Sequence, residues 1–199
     1  MLPAPRSLNS DVRGWAIIVR RPIVALDGQM ANANTQVSAL ISRYSPAVAR
    51  QFRLARACIR EYFPRGYELV FENYNALGCG YSLTDRGSGV VVSLVAYPRW
   101  VTLFFFHGID LSDPDGILQG GGARIRSVRL EPFSLLHSPS VHDLVLQATK
   151  RHRGDLAKAP RLATLVKSIA TRRRPRRPAP LVIRAKRAKR KVQGSRRGV

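Results

Sequence analysis

The chain has 199 residues, 45% of them hydrophobic, and a formal net charge of +22. That hydrophobic share supports a packed core, and no apolar run approaches the ~18 residues of a membrane-spanning helix. The two cysteines, Cys58 and Cys79, exclude a disulfide framework, and without a CxxC pair or a nearby His they exclude a four-ligand zinc site.

The charge is unevenly spread. Residues 1–149 carry 15 Lys/Arg against 11 Asp/Glu, and residues 150–199 carry 19 against one, Asp155. The sequence therefore divides into an extension at 1–34, a domain at 35–153 and a basic tail at 154–199. The expected fold class is α+β: an antiparallel sheet of four to five strands with helices before and after it.

The extension holds two short apolar runs. Trp15–Val19 is cut by Arg20-Arg21-Pro22, and Ile23–Leu26 is ended by Asp27. Neither is long enough for a signal peptide, and two isolated thiols suit a reducing cytoplasm, the expected location. Residues 1–29 read either as preceding the true start at Met30, or as an extra edge strand or an arm.

Thr35 to Phe63 reads as helical. Val37, Leu40, Ile41 and Tyr44 recur at helical spacing, Ser45-Pro46 marks a new N-terminus, and Val48, Phe52, Ala55, Ile59 and Phe63 continue on one face. Arg50, Arg53, Arg56 and Arg60 lie on the other side. Pro64-Arg65-Gly66 ends the helix.

Strand patterns follow at Tyr67–Tyr74, Ala76–Leu83, Val90–Tyr97 and Trp100–Phe106, the last two joined as a hairpin across Pro98-Arg99. The apolar character of these last two, without clean alternation, predicts central strands with both faces partly covered. Ile125–Leu130 alternates as a further strand, and Ser138-Pro139-Ser140 introduces a helix carrying Val141, Leu144, Val145 and Ala148. Leu156–Ala170 is expected to be one more basic helix, and the Arg/Pro/Lys composition beyond Thr171 predicts disorder.

Three features carry candidate chemistry. Asp110, Asp113 and Asp115 are hard oxygen donors for a cation, although Asp residues in such loops also serve as turn formers. Gly120 and Gly122, followed by Arg124 and Arg126, form a possible anion cradle of backbone amides and guanidinium groups; equally, the glycines serve positive φ angles. The dense runs Arg172, Arg173, Arg174, Arg176, Arg177 and Lys186, Arg187, Lys189, Arg190, Lys191 suit nucleic acid or another polyanion, bound by counterion release. The four histidines, His107, His137, His142 and His152, form no recognisable catalytic set with the carboxylates, so no enzyme is expected.

The run from Trp100 to Gly108, then Asp-Pro-Asp-Gly-Ile-Leu-Gln-Gly-Gly-Gly-Ala-Arg-Ile-Arg from Asp113 to Arg126, resembles the YdhG-like family. The stretch Ala57–Pro64 with Glu68 is similar to the family's helix end. The resemblance covers about residues 35–153. It implies an α+β fold related to frataxin-like proteins and, from one branch, an iron-chaperone role with iron as cargo. The sequence departs from the pattern in two places. Ala123 stands where the family has Lys, and the first helices carry Arg50, Arg53, Arg56 and Arg60 against Glu61 in place of an acidic ridge. The runner-up reading is a nonspecific nucleic-acid-binding protein acting through the tail.

Overall fold

A computed structural model of the chain describes residues 30–177. Two helices come first, α1 (Met30–Ile41) and α2 (Pro46–Tyr62), followed by β1 (Tyr67–Glu72), β2 (Leu77–Ser82), β3 (Val90–Ala96), β4 (Val101–Phe105) and β5 (Arg126–Arg129). Then come α3 (Pro139–Lys150), α4 (Arg153–Lys158) and β6 (Ala163–Ser168). The architecture is α+β.

The expected helix starts are made as their chemistry dictates. Ser45 caps α2, its hydroxyl accepting from the Val48 amide at 3.4 Å, and Pro46 occupies the first turn, where no amide donor is required. Ser138 and Pro139 repeat the arrangement at α3, with a 3.3 Å bond from the Val141 amide. Both helices turn their apolar stripe inward: Val48, Phe52, Ala55 and Ile59 from α2, and Val141, Leu144, Val145 and Ala148 from α3. Full burial of a side chain such as Phe52 contributes about 2–3 kcal/mol.

Strands β1 to β5 form an antiparallel meander, and the sheet order is β5-β4-β3-β2-β1-β6. The β3–β4 hairpin closes with the Tyr97 amide on the Trp100 carbonyl at 2.9 Å. Gly66, at φ 110°, makes the turn into β1, where a Cβ would lie 2.6 Å from the Ser82 carbonyl oxygen. Only glycine fits such a position without strain.

The sheet differs from expectation at its edge. Among the described residues it has six strands and is mixed, because β6 pairs with β1 in parallel, Glu68 opposite Thr164 and Val70 opposite Val166. The single basic helix expected over Leu156–Ala170 is replaced by the six-residue α4 and then β6. Pro160 explains the break, since it disfavours helical backbone at Ala159. Beyond it, Thr164 and Val166 fit the free edge of β1 better than another helical turn. The fold therefore continues through the first part of the segment expected to be a disordered tail, as far as Arg177.

One face of the sheet carries the helices. Val70, Cys79, Tyr81, Leu94, Leu103 and Phe105 pack there against Val37, Ile41, Phe52 and Ile59. The opposite face forms a second cluster that includes Leu69, Phe71, Ala76, Val95 and Phe104.

Candidate anion-binding groove

The three aspartates do not converge. Asp113 turns back on its own loop and accepts from the Ile117 and Leu118 amides at 3.1 and 2.8 Å, which is turn chemistry. Asp110 pairs with Arg151 at 2.9 Å, and Asp115 accepts from the Ser140 hydroxyl at 2.5 Å. Among the described residues no three His, Cys, Asp or Glu side chains gather as metal ligands.

The glycine loop is likewise self-contained. Gly120 adopts φ 114°, the conformation for which a glycine was expected. Arg126 donates to the Gly122 and Ile125 carbonyls at 2.5 and 2.9 Å, so its guanidinium holds the loop closed and does not face an incoming anion. Arg124 lies against the His107 ring, 3.1 Å from Nε2. Partial burial, and then the Arg124 charge, hold His107 below the usual histidine range.

The first basic run folds back onto the domain. Arg173 Nε donates to Glu72 at 2.8 Å, and Arg177 Nε donates to the Tyr44 carbonyl at 3.3 Å. Arg176 is buried, donating to the Asn73 and Tyr74 carbonyls at 2.6 and 3.0 Å and lying 3.7 Å from Glu72. Arg172 and Arg174 are exposed. The run expected to be wholly a nucleic-acid arm is thus in part a latch over the β1–β2 turn. Lys186, Arg187, Lys189, Arg190 and Lys191 lie outside the described residues.

Two acids draw this network inward; the sequence points to Glu68 only through the family resemblance, and to Glu72 not at all. Glu68 and Glu72 lie four residues apart on β1, on the helix-covered face. Arg56 forks onto Glu68 at 2.7 and 2.6 Å, while Arg60 (2.5 Å) and the Thr164 hydroxyl (2.7 Å) reach the same carboxylate. Burial pushes the Glu68 pKa up, but the bonds and charges of Arg56 and Arg60 outweigh it and hold the carboxyl below its usual range. Arg43 meets Glu72 at 3.0 Å. Two arginines expected on the solvent side of α2 are thus tied to the sheet. The signal available in the sequence was the pair of glutamates inside an otherwise apolar strand.

Neither thiol is set up as a nucleophile. Cys79 is fully buried and burial drives its thiol pKa well up; Cys58 is shifted the same way by burial and by Glu61. The Tyr62 hydroxyl bonds His142 Nδ1 across the α2–α3 contact.

One concave site among the described residues lies where the C-terminal turns of α2 and α3 meet α4, in a cavity of about 460 Å³. Its floor is apolar, from Tyr62, Pro64, Leu146 and Leu156, and its rim carries Arg65, Lys150 and Arg153 against one acid, Glu61. Arg65 is held in place by donating from Nε to the Ala159 carbonyl at 2.7 Å. An antiparallel backbone bridge pairs Arg65 with Arg161. Concave cationic surface of this kind concentrates anions.

The chain matches no family profile, no curated protein and no solved structure. Fold and groove together describe an α+β domain with a basic concave surface. No helix among the described residues is long and apolar enough to cross a membrane.

Proposed function

We propose that this chain is a non-enzymatic accessory protein that binds nucleic acid through phosphate contacts. The groove rim of Arg65, Lys150 and Arg153 and the basic residues after Arg177 are the contact surface. The observation that carries this reading is the convergence of the three rim cations on one cavity.

The charge balance supports it. Residues 30–177 carry 22 Lys/Arg against ten Asp/Glu, a net of +12. Two of those ten acids, Glu68 and Glu72, are buried against arginines, so neither carboxylate repels a phosphate at the surface, and the arginines that pair with them are likewise engaged. Residues 178–199 add eight Lys/Arg and no acid. Such surfaces bind the phosphate backbone without reading base sequence. For the iron-carrier role implied by the YdhG-like resemblance, the three loop aspartates do not form a shared donor set, since each already has its own partner.

A salt titration of binding to a short duplex DNA tests the reading. The full chain is expected to bind with a log–log salt slope steeper than about −6, reflecting ~7 or more phosphate contacts. A chain ending at Arg177 is expected to bind more weakly and with a shallower slope. No binding by the full chain at low salt would sink the reading.

A further inference from the structure

The groove offers more than charge. Cations alone suffice to hold a phosphate backbone, yet beneath the rim lies a concave apolar floor of Tyr62, Pro64, Leu146 and Leu156. Its side chains come from the end of α2, the turn after it, α3 and α4. A duplex leaves such a floor empty, because its bases are stacked inside the helix and its outer surface is phosphate and sugar. A single strand can fill it, since an unstacked base turns outward and rests on aromatic and apolar side chains.

We propose, resting on the phosphate-binding reading, that the groove is a seat for single-stranded nucleic acid. An unpaired base lies on the floor against Tyr62, and its flanking phosphates meet Arg65, Lys150 and Arg153. A cavity of about 460 Å³ falls in the lower part of the ~300–1,000 Å³ span of small-ligand pockets, the scale of a nucleotide. Glu61, beside Tyr62 in the lining, repels phosphate from that part of the cavity and leaves it to the uncharged base.

The seat is formed in advance. The Tyr62 ring is held by the bond of its hydroxyl to His142 Nδ1 and by edge contact with the His142 ring, centroids 5.4 Å apart at 62°. The turn carrying Pro64 and Arg65 is clamped to the chain ahead of β6: the Gly66 amide donates to the Pro160 carbonyl at 2.8 Å, and the Leu162 amide to the Pro64 carbonyl at 3.1 Å. Arg65 spends only Nε on the Ala159 carbonyl, so its two terminal nitrogens remain for a phosphate. A site fixed before binding loses less freedom when the ligand arrives. Residues 178–199 hold eight Lys/Arg but no Phe, Tyr, Trp or His, so that segment neutralises phosphate and supplies no ring on which a base can stack.

Fluorescence anisotropy on the full chain, at one salt concentration, compares three probes of equal length. They are a duplex DNA, a thymidine single strand, and a single strand with the same phosphates whose sugars carry no base. The thymidine strand is expected to bind about tenfold more tightly than the abasic one. Equal affinity for these two overturns the proposal, and if both bind alongside the duplex, the phosphate-binding reading stands without it. Failure of all three probes at low salt sinks that reading and the proposal together. Tyr62→Leu places the base: the tenfold ratio is expected to fall towards one, and Tyr62→Phe, which keeps the ring, to restore it. A ratio that stays near tenfold in Tyr62→Leu puts the base elsewhere and overturns the groove as its seat. Should Tyr62→Leu show no cooperative melt, Leu146→Ala on the same floor carries the test, with a severalfold fall in the ratio expected and an unchanged ratio overturning the proposal.

Discussion

Arg56 and Glu68 form a two-pronged contact between α2 and β1, Nε to Oε1 at 2.7 Å and Nη2 to Oε2 at 2.6 Å, with the Glu68 side chain fully buried. Arg60 and Thr164 complete the shell around the same carboxylate, which joins a helix, a central strand and the edge strand β6. Removing the acid leaves half-buried guanidinium groups without a counter-charge. Glu68→Gln is therefore expected to lower stability by about 3 kcal/mol, measured by urea unfolding. Glu68→Leu combined with Arg56→Leu is expected to recover much of that loss, because a buried ion pair and an apolar pair of similar shape are close in free energy. A double variant no better than the single would show that Arg60 and Thr164 also need the charge.

The same carboxylate sets an acid limit. Its pKa in the fold lies below that of the unfolded chain, so the unfolded state takes up the proton first as pH falls. The stabilisation is complete above the ordinary carboxylate range near ~4.3 and is lost as pH drops through the lower folded value. Unfolding free energy measured from pH 7 down to pH 2 is expected to fall across that window in the native chain and to fall less in Glu68→Gln. Parallel curves would assign the acid sensitivity to other carboxylates.

The helix starts, the hairpin at Pro98-Arg99 and the five antiparallel strands were legible because each rests on local chemistry: a serine cap, a proline in the first turn, an apolar run between breakers. β6 was not legible. Its pattern, with Leu162, Leu165, Val166 and Ile169, fits a helical stripe as well as a strand, and only the free edge of β1 decides the matter. The groove was hidden for a related reason, since Tyr62 and Arg65 meet Leu146, Lys150 and Leu156 across about eighty residues of chain. Composition suggested that the 172–177 run was solvated; Glu72 and three carbonyls of the 73–76 turn bring Arg176 inside.

The latch makes the position of a truncation decisive. A chain ending at Arg153 loses β6, the Thr164–Glu68 bond and both C-terminal arginines on Glu72. It is expected to be unfolded or aggregated, whereas a chain ending at Arg177 is expected to give a cooperative melt. Within the latch, Arg176→Ala is expected to destabilise by about 3 kcal/mol, with Arg176→Lys restoring little, because an ammonium cannot reach several carbonyls as a guanidinium does. Arg172→Ala, at an exposed position, is expected to stay within about 0.5 kcal/mol of the native chain. Equal effects at 172 and 176 would contradict the latch.

Asp113 separates turn chemistry from metal chemistry. Its two oxygens already accept from the Ile117 and Leu118 amides. Asp113→Asn keeps one acceptor oxygen and is expected to be nearly neutral, while Asp113→Ala is expected to lose about 1 kcal/mol. Calorimetric titration with ferrous iron or calcium is expected to give the same trace for the native chain and Asp113→Ala. A stoichiometric heat abolished by the alanine variant would restore the cation reading of this loop.

The groove cations can be tested without disturbing the core, since Lys150 and Arg153 are exposed at the ends of α3 and α4. Among the described residues the salt bridges run instead through Arg43, Arg56, Arg60, Arg129, Arg151, Arg173 and Arg176. Lys150→Gln with Arg153→Gln removes two charges from the rim. If both reach phosphate, the log–log salt slope for duplex DNA becomes shallower by about 2, while the thermal midpoint moves by no more than a few degrees. Arg99→Gln, exposed in the β3–β4 turn and outside the lining of the groove, controls for the general loss of positive charge. It is expected to change the slope by less than about 0.5, because only cations in contact with the backbone release counterions. A rim variant whose slope matches that of Arg99→Gln would remove the groove from the contact surface and leave the residues after Arg177 as the whole of it.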